Sequence, residues 1–141
     1  MSATYLTFNN QIEKLTTILN PGDLQLMGTN PILVFKNVNS YPLYMVVDCS
    51  AGSVLYDFNS GGYFEFYNVM SGLSLFKSAT YPLQTIQGFG PSICSPWATS
   101  DGFKRGTIIQ LPWDMILTSN NGSDATQGDG FLTVNYYGLF N

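Results

Sequence analysis

The side chains able to do chemistry are few in this sequence. Its 141 residues include nine Asp and Glu, five Lys and Arg, two Cys and no histidine. Histidine titrates in the physiological range and is the commonest metal ligand, so its absence removes the usual general base and the usual zinc sites. Glu65 could be one of two carboxylates in a glycosidase, but its alternation with Tyr63 and Tyr67 predicts an outward position on a strand. The sequence therefore predicts no enzyme and no cofactor.

The densest group of oxygen ligands lies between Asn120 and Gly130. Calcium takes six to eight oxygens, and Asp124 and Asp129 could supply some of them. Their spacing departs from the EF-hand order and no bidentate Glu follows, which favours a solvated loop over a metal site.

Cys49 and Cys94 are too few and too far apart in sequence for a disulfide-stapled small fold or a Cys-rich metal site. Each is predicted to be a small buried apolar side chain. A disulfide between them would need Cα atoms within about 7 Å, which the sequence does not decide.

The composition favours packing over electrostatics. Charged residues make up 10% of the chain and aromatic residues 15%, so its outer faces must consist largely of neutral polar groups and tyrosines. Such faces leave water at a lower cost than ions do and suit burial between subunits. The five cations are scattered apart from Lys104 and Arg105, which disfavours nucleic-acid binding, and no apolar run is long enough to span a membrane.

Short runs rich in β-branched and aromatic residues, separated by Gly, Pro, Asn and Ser, predict strands. Ile12–Leu19 also has a helical stripe, but its β-branched Thr and Ile residues favour a strand that ends in a turn at Asn20–Asp23. Further strands are predicted at Leu24–Met27, Ile32–Val38, Tyr41–Cys49, Ser53–Phe58, Tyr63–Val69, Leu73–Lys77, Leu83–Gln87, Thr107–Leu111, Trp113–Thr118 and Phe131–Tyr137.

Two hairpins follow from this pattern, one joining Ile32–Val38 to Tyr41–Cys49 and one turning at Asn59–Gly62. Two long loops, 88–104 and 119–130, lack periodicity and are candidates for function. The chain is predicted to be one domain, residues 1–141, of the all-β class. An antiparallel β-sandwich with jelly-roll topology fits the strand count and uneven loops best, and a closed barrel is the alternative.

The order of these features resembles that of single jelly-roll capsid and vertex (penton-like or minor capsid) proteins of tailless icosahedral double-stranded DNA viruses. The resemblance rests on the strand and Asn-containing turn at Ile32–Val47, the segment Gly106–Thr118 and the β-rich tail Gly130–Gly138. It implies a virion protein that tiles through lateral contacts with copies of itself, and with a second capsid protein as a further partner. It also implies that no cofactor is bound.

Subunit contacts are predicted at the apolar chain ends and in the first long loop. The residues are Tyr5, Leu6 and Phe8, then Phe89, Trp97 and Phe103, and finally Leu139 and Phe140. Two other functions remain open. Exposed Trp and Tyr side chains could bind sugars in a carbohydrate-binding module or lectin, and the low charge also fits a small pore-forming β-protein.

Overall fold

A computed structural model describes residues 12–50, 52–58, 63–70, 73–78, 81–96, 112–119 and 124–140. Over this part of the chain the secondary structure consists of nine β-strands and two short helices. In chain order they are β1 (Ile12–Leu19), α1 (Pro21–Gln25), β2 (Ile32–Val38), β3 (Ser40–Cys49), β4 (Tyr63–Met70), β5 (Leu73–Lys77), β6 (Tyr81–Pro82), α2 (Leu83–Phe89), β7 (Ser92–Cys94), β8 (Trp113–Ser119) and β9 (Leu132–Phe140).

The strands form two antiparallel sheets, which confirms the all-β class. The first sheet has the order β1-β9-β3-β7, and the second has the order β2-β8-β4-β5 with β6 beside β4. Four pairs are nested one inside the next along the chain: β1 with β9, β2 with β8, β3 with β7 and β4 with β5. Successive pairs alternate between the first and the second sheet.

The predicted hairpin of Ile32–Val38 with Tyr41–Cys49 is wrong, although both strands exist. Val38 pairs with Trp113 in the second sheet, whereas Ser40 pairs with Phe140 in the first. Asn39 therefore carries the chain from one sheet to the other. Val38 and Ser40 are both buried, so each strand gains more from covering the core than from pairing with its sequence neighbour. β2 is also an edge strand of the second sheet.

The segment after β1 begins a helix where a turn was predicted. The Asn20 side chain accepts a hydrogen bond from the backbone N–H of Asp23 at 2.9 Å, and Pro21 occupies the first turn. An Asn cap followed by Pro is a helix start, because the cap satisfies a free N–H and Pro already has the helical φ. The helix and the turn after it replace the predicted strand at Leu24–Met27, and they bury Leu24 and Met27.

The predicted strand at Leu83–Gln87 is also wrong, because it forms helix α2. Leu83, Ile86 and Gln87 are buried, and their spacing of three and four residues is the period of a helix face. Residues 53–58 form no strand, so the second predicted hairpin lacks its first arm, and its turn at Asn59–Gly62 lies outside the described residues. Thr107–Leu111 is likewise outside them.

The inward faces of both sheets contribute to one buried cluster. The Trp113 ring meets the Tyr136 ring edge-on, with centroids 5.6 Å apart, and its Nε1–H donates to the backbone oxygen of Ser40 at 3.1 Å. The Tyr136 hydroxyl donates to Oγ of Ser40 at 3.0 Å. The Trp113 contacts join the two sheets, and the hydrogen bonds satisfy polar groups that would otherwise be costly to bury. In the described part of the chain no helix is long and apolar enough to cross a membrane.

Candidate interaction surface

The outward positions of the first sheet form a surface that we call the outer face. On β9 the inward residues Leu132, Val134 and Tyr136 are fully buried, so the residues between them point away from the core. Register then identifies their neighbours on the other strands. The outer face comprises Ile12, Lys14, Thr16 and Ile18 on β1, Thr133, Asn135, Tyr137 and Leu139 on β9, Tyr44, Val46 and Asp48 on β3, and Ile93 on β7.

Apolar side chains on the outer face are strongly exposed. Ile93 is 75% exposed, Ile18 64% and Ile12 57%. Beside them the Tyr44 and Tyr137 rings stack, with centroids 4.7 Å apart and planes 17° apart. Among the described positions of this face only Lys14 and Asp48 are charged, so covering it removes much apolar area from water and desolvates few ions.

The polar groups at the centre of the outer face already interact with each other. The Thr16 hydroxyl on β1 donates to Oδ1 of Asn135 on β9 at 2.6 Å. A cross-strand bond of this kind fixes the two side chains, so a partner would meet an ordered polar centre within an apolar surround.

A groove of about 300 Å³ borders the outer face on the β3 and β7 side. It is lined by Tyr41–Tyr44 and by Ile93–Ser95. Its walls are mainly apolar and aromatic, so the groove is suited to bind an apolar or ring-shaped group.

The predicted contact residues Leu139 and Phe140 lie at the end of β9, a strand paired on both sides. Leu139 pairs with Ile12 of β1 and with Tyr41 of β3. Phe140 packs against the core, with its ring edge-on to Tyr136 at 6.1 Å. Both side chains are half-buried by the chain's own sheet, so the tail offers a partner only part of its surface.

The other predicted contact residues divide by position. Tyr5, Leu6, Phe8, Trp97 and Phe103 lie outside the described residues, in segments 1–11 and 97–111. The described residues that adjoin these segments lie at the end of the sheets where β9 ends. Strands β1 and β8 begin at this end, and β7 runs towards it. Phe89 ends α2, before the first residue of β7, and so belongs to the opposite end.

Ile18 and Ile93 were not predicted from the sequence as surface residues. A signal was present on β1, where Ile12 and Ile18 share one parity while Leu15 and Leu19 share the other. An edge strand that is apolar on both faces must expose one of them unless something covers it. Ile93 had no such signal, because it lies on a strand of only three residues.

Three carboxylates at the surface form hydrogen bonds between the loops at the opposite end of the sheets. Asp124 accepts bonds from the Thr29 backbone N–H and hydroxyl at 2.8 and 2.7 Å. Asp129 accepts from the Ser53 hydroxyl and from the N–H of Val54, at 2.9 and 3.0 Å. These donors favour the ionised form of each carboxyl.

The third carboxylate, Asp57, accepts a bond from the Thr126 hydroxyl and one from the backbone N–H of Gln127 at 3.0 Å. The Thr126 hydroxyl is the main cause that lowers the pKa of Asp57. The Thr29 hydroxyl does the same for the pKa of Asp124, and the Val54 N–H for the pKa of Asp129. Each acid therefore bonds a different loop segment, and no group of three or more acids or cysteines suited to a metal occurs among the described residues.

The two cysteines are free and buried in the core cluster. Cys94 pairs with Met45, four residues before Cys49 on the same strand, which separates the two by roughly 13 Å along β3, about twice the reach of a disulfide. Burial raises the pKa of Cys49 to about 11 and that of Cys94 to about 12. Both thiols thus occupy the positions expected of small apolar side chains.

Glu65, the carboxylate considered for catalysis, lies on β4 opposite Thr118 of β8.

No family model, no curated protein and no solved structure matches this chain.

Proposed function

We propose that this chain is a non-enzymatic structural protein that assembles with copies of itself, as a capsid or vertex protein of a virus particle. A second capsid protein would be a further partner, and the virion its location. The observation that carries the proposal is the outer face, where apolar and tyrosine side chains are exposed with only two charges among the described positions. Monomeric proteins rarely leave an apolar patch of this kind uncovered.

We further propose that the two sheets form a jelly-roll sandwich. In a jelly roll a long antiparallel hairpin is wound so that successive strand pairs fall alternately in two packed sheets of four strands. The nested pairs β1·β9, β2·β8, β3·β7 and β4·β5, alternating between the sheets, support this topology. The contact of Trp113 with Tyr136 supports face-to-face packing.

Assembly is tested by static light scattering and sedimentation velocity of the full chain over a wide concentration range. We expect the average mass to rise with concentration, and electron microscopy to show closed oligomers or shells. A chain that stays monomeric at the highest attainable concentration would contradict the proposal.

A carbohydrate-binding module is the second candidate, favoured by the stacked rings of Tyr44 and Tyr137 beside the groove. An exposed aromatic face can stack on a sugar ring without any catalytic group. A glycan array with the wild-type chain and Tyr44→Ala tests it, with Leu33→Ala on the second sheet as the matched control. Glycan binding lost only in Tyr44→Ala, by a chain that remains monomeric, would favour this candidate over self-assembly.

A further inference from the structure

The two charges of the outer face are placed symmetrically about its centre. Lys14 pairs with Tyr137, and Asp48 pairs with Thr133. Asn135 lies midway between those two residues of β9, so the charges flank it on a diagonal. They are two strands and four residues apart, about 16 Å, which is too far for an ion pair within one copy.

We propose that a second copy of this chain docks its outer face on this one about a two-fold axis that lies in the interface over Asn135. Each Lys14 then faces Asp48 of the second copy, and both charges find a partner that their own sheet does not supply. This inference rests on the proposed self-assembly and names the surface and the symmetry through which it begins. The contact is isologous, because the same patch serves both copies.

The same rotation also brings apolar side chains of the two copies together. With strands about 4.8 Å apart and residues about 3.3 Å apart, it lays Tyr44 of one copy over Ile93 of the other and Tyr137 over Val46. The strands of the two copies cross at about 70°, close to the orthogonal class of sheet packing. The axis thus brings the two opposite charges together and covers the β3 and β7 side of the outer face, whereas Ile12 and Ile18 on β1 fall outside the overlap.

The size of the face sets the strength of the contact. Strands β1, β9 and β3 over about eight residues each, with the three residues of β7, cover roughly 430 Å² on each copy. The pair buries about 850 Å², which is below the usual size of a specific interface. The two-copy contact is therefore weak and reversible, as an assembling unit requires if misplaced copies are to dissociate.

Charge reversal tests the pairing with the full chain. Lys14→Asp and Asp48→Lys each place like charges together at both ends of the axis, and we expect each to weaken dimer formation by roughly tenfold at low ionic strength. The double variant Lys14→Asp with Asp48→Lys restores opposite charges and should return the dimer constant to near the wild-type value. The matched control is Lys36→Asp on β2 of the second sheet, an exposed cation that should tolerate reversal.

Ile93→Ser probes the apolar half of the same interface. It removes an apolar side chain that is 75% exposed, and it should also weaken dimer formation by roughly tenfold. Leu33→Ser on β2, where the side chain is 51% exposed, is the control and should leave the constant unchanged. Circular dichroism of each variant verifies the fold before the sedimentation measurement.

The outcomes separate this inference from the proposed function. If wild-type chain assembles but the single reversals assemble equally well, or the double variant is not rescued, copies meet through another surface and the pairing is wrong. If deleting residues 1–11 strengthens dimer formation, that segment covers the face in the free chain, which also overturns the proposal. A wild-type chain that never associates removes both the pairing and the proposed function.

Discussion

The backbone of Gly128 has φ of 137°, and a Cβ at this position would lie 2.2 Å from Cδ1 of the Tyr56 ring. Tyr56 is fully buried and its hydroxyl donates to the backbone oxygen of Gly130. The ring therefore lies against the Gly128 backbone, and only glycine meets both the conformational and the steric requirement.

We expect Gly128→Ala to lower the free energy of unfolding by about 3 kcal/mol, since it adds both backbone strain and overlap with the ring. Two glycines serve as controls in urea titrations. Gly90 has φ of 101° with open space around it, so Gly90→Ala should cost only about 1 kcal/mol. Gly88, in helix α2, has neither restriction, and Gly88→Ala should be neutral or slightly stabilising. Equal effects at all three positions would contradict this account.

Burial of the cysteine thiols has its own consequence. Because the pKa is raised to about 11 for Cys49 and about 12 for Cys94, native protein at pH 8 holds almost no thiolate. We expect Ellman's reagent to modify neither thiol in the folded chain and both within minutes in denaturant. A native mass 2 Da below that of the reduced chain would show that the cysteines are bonded and contradict the geometry.

At the scale of elements, the loops around α1, residues 52–58 and residues 124–131 are held by side-chain hydrogen bonds and a few backbone bonds, and not by a sheet. The backbone oxygen of Gln25 accepts a hydrogen bond from the N–H of Ala125 at 2.8 Å. The Gln25 side chain donates a hydrogen bond to the backbone oxygen of Gly128, also at 2.8 Å. Gln87 of α2 donates to the Val54 oxygen and accepts from the Tyr56 N–H, at 3.0 and 3.2 Å. Both glutamine side chains form hydrogen bonds with backbone groups, as a neighbouring strand would do. These bonds satisfy the polar groups of irregular backbone that is buried.

These loops should loosen in acid. Asp57, Asp124 and Asp129 have pKa values lowered from 3.8 by their hydrogen bonds, so their contribution to stability is complete above about pH 4. It is lost as pH falls through the lower pKa values of the folded state. We expect the urea midpoint to fall as the pH is lowered below about 4, and Asp57→Asn to reduce that pH dependence.

Glu13→Gln, on the exposed edge strand β1, is the control for this experiment and should keep the wild-type pH profile. An Asp57→Asn profile that matches wild type would show that the carboxylate bonds do not stabilise the fold.

At the scale of the whole molecule, Trp113 links the two sheets. It is 1% exposed, it lies edge-on to Tyr136 of the first sheet, and its Nε1–H donates to the Ser40 oxygen. Trp113 of the second sheet thus packs against the first sheet and donates a hydrogen bond to it. We therefore expect the two sheets to unfold together.

Trp113→Phe should lower the free energy of unfolding by about 2 to 4 kcal/mol, because it leaves a cavity and removes the donor to a buried carbonyl. The control is Tyr44→Phe on the outer face, which should change stability by less than about 0.5 kcal/mol. Far-ultraviolet circular dichroism and tyrosine fluorescence should report one shared urea transition in both variants. Two separate transitions would mean that the sheets are independent.

Several elements were predictable from local pattern. The bounds of β1, β2 and β5 match the predicted runs, and β8 alternates as expected, with Trp113, Met115 and Leu117 buried. The mistakes have local causes as well. Asn followed by Pro is compatible with a turn as well as with a helix start, and Leu83–Gln87 is too short for a helical period to stand out in the sequence.

The sequence by itself determined the class of this protein: β-rich, poor in charge and without histidine. Those are properties of composition and of a two-residue period, which each segment carries alone. Only the tertiary structure decided which strands pair, because β1 meets β9 about 120 residues later and no local signal encodes that choice. The outer face exists only after that pairing, since its residues come from four strands that are distant in the chain. Its composition therefore depends on register, which is set by the burial of the opposite faces in a shared core.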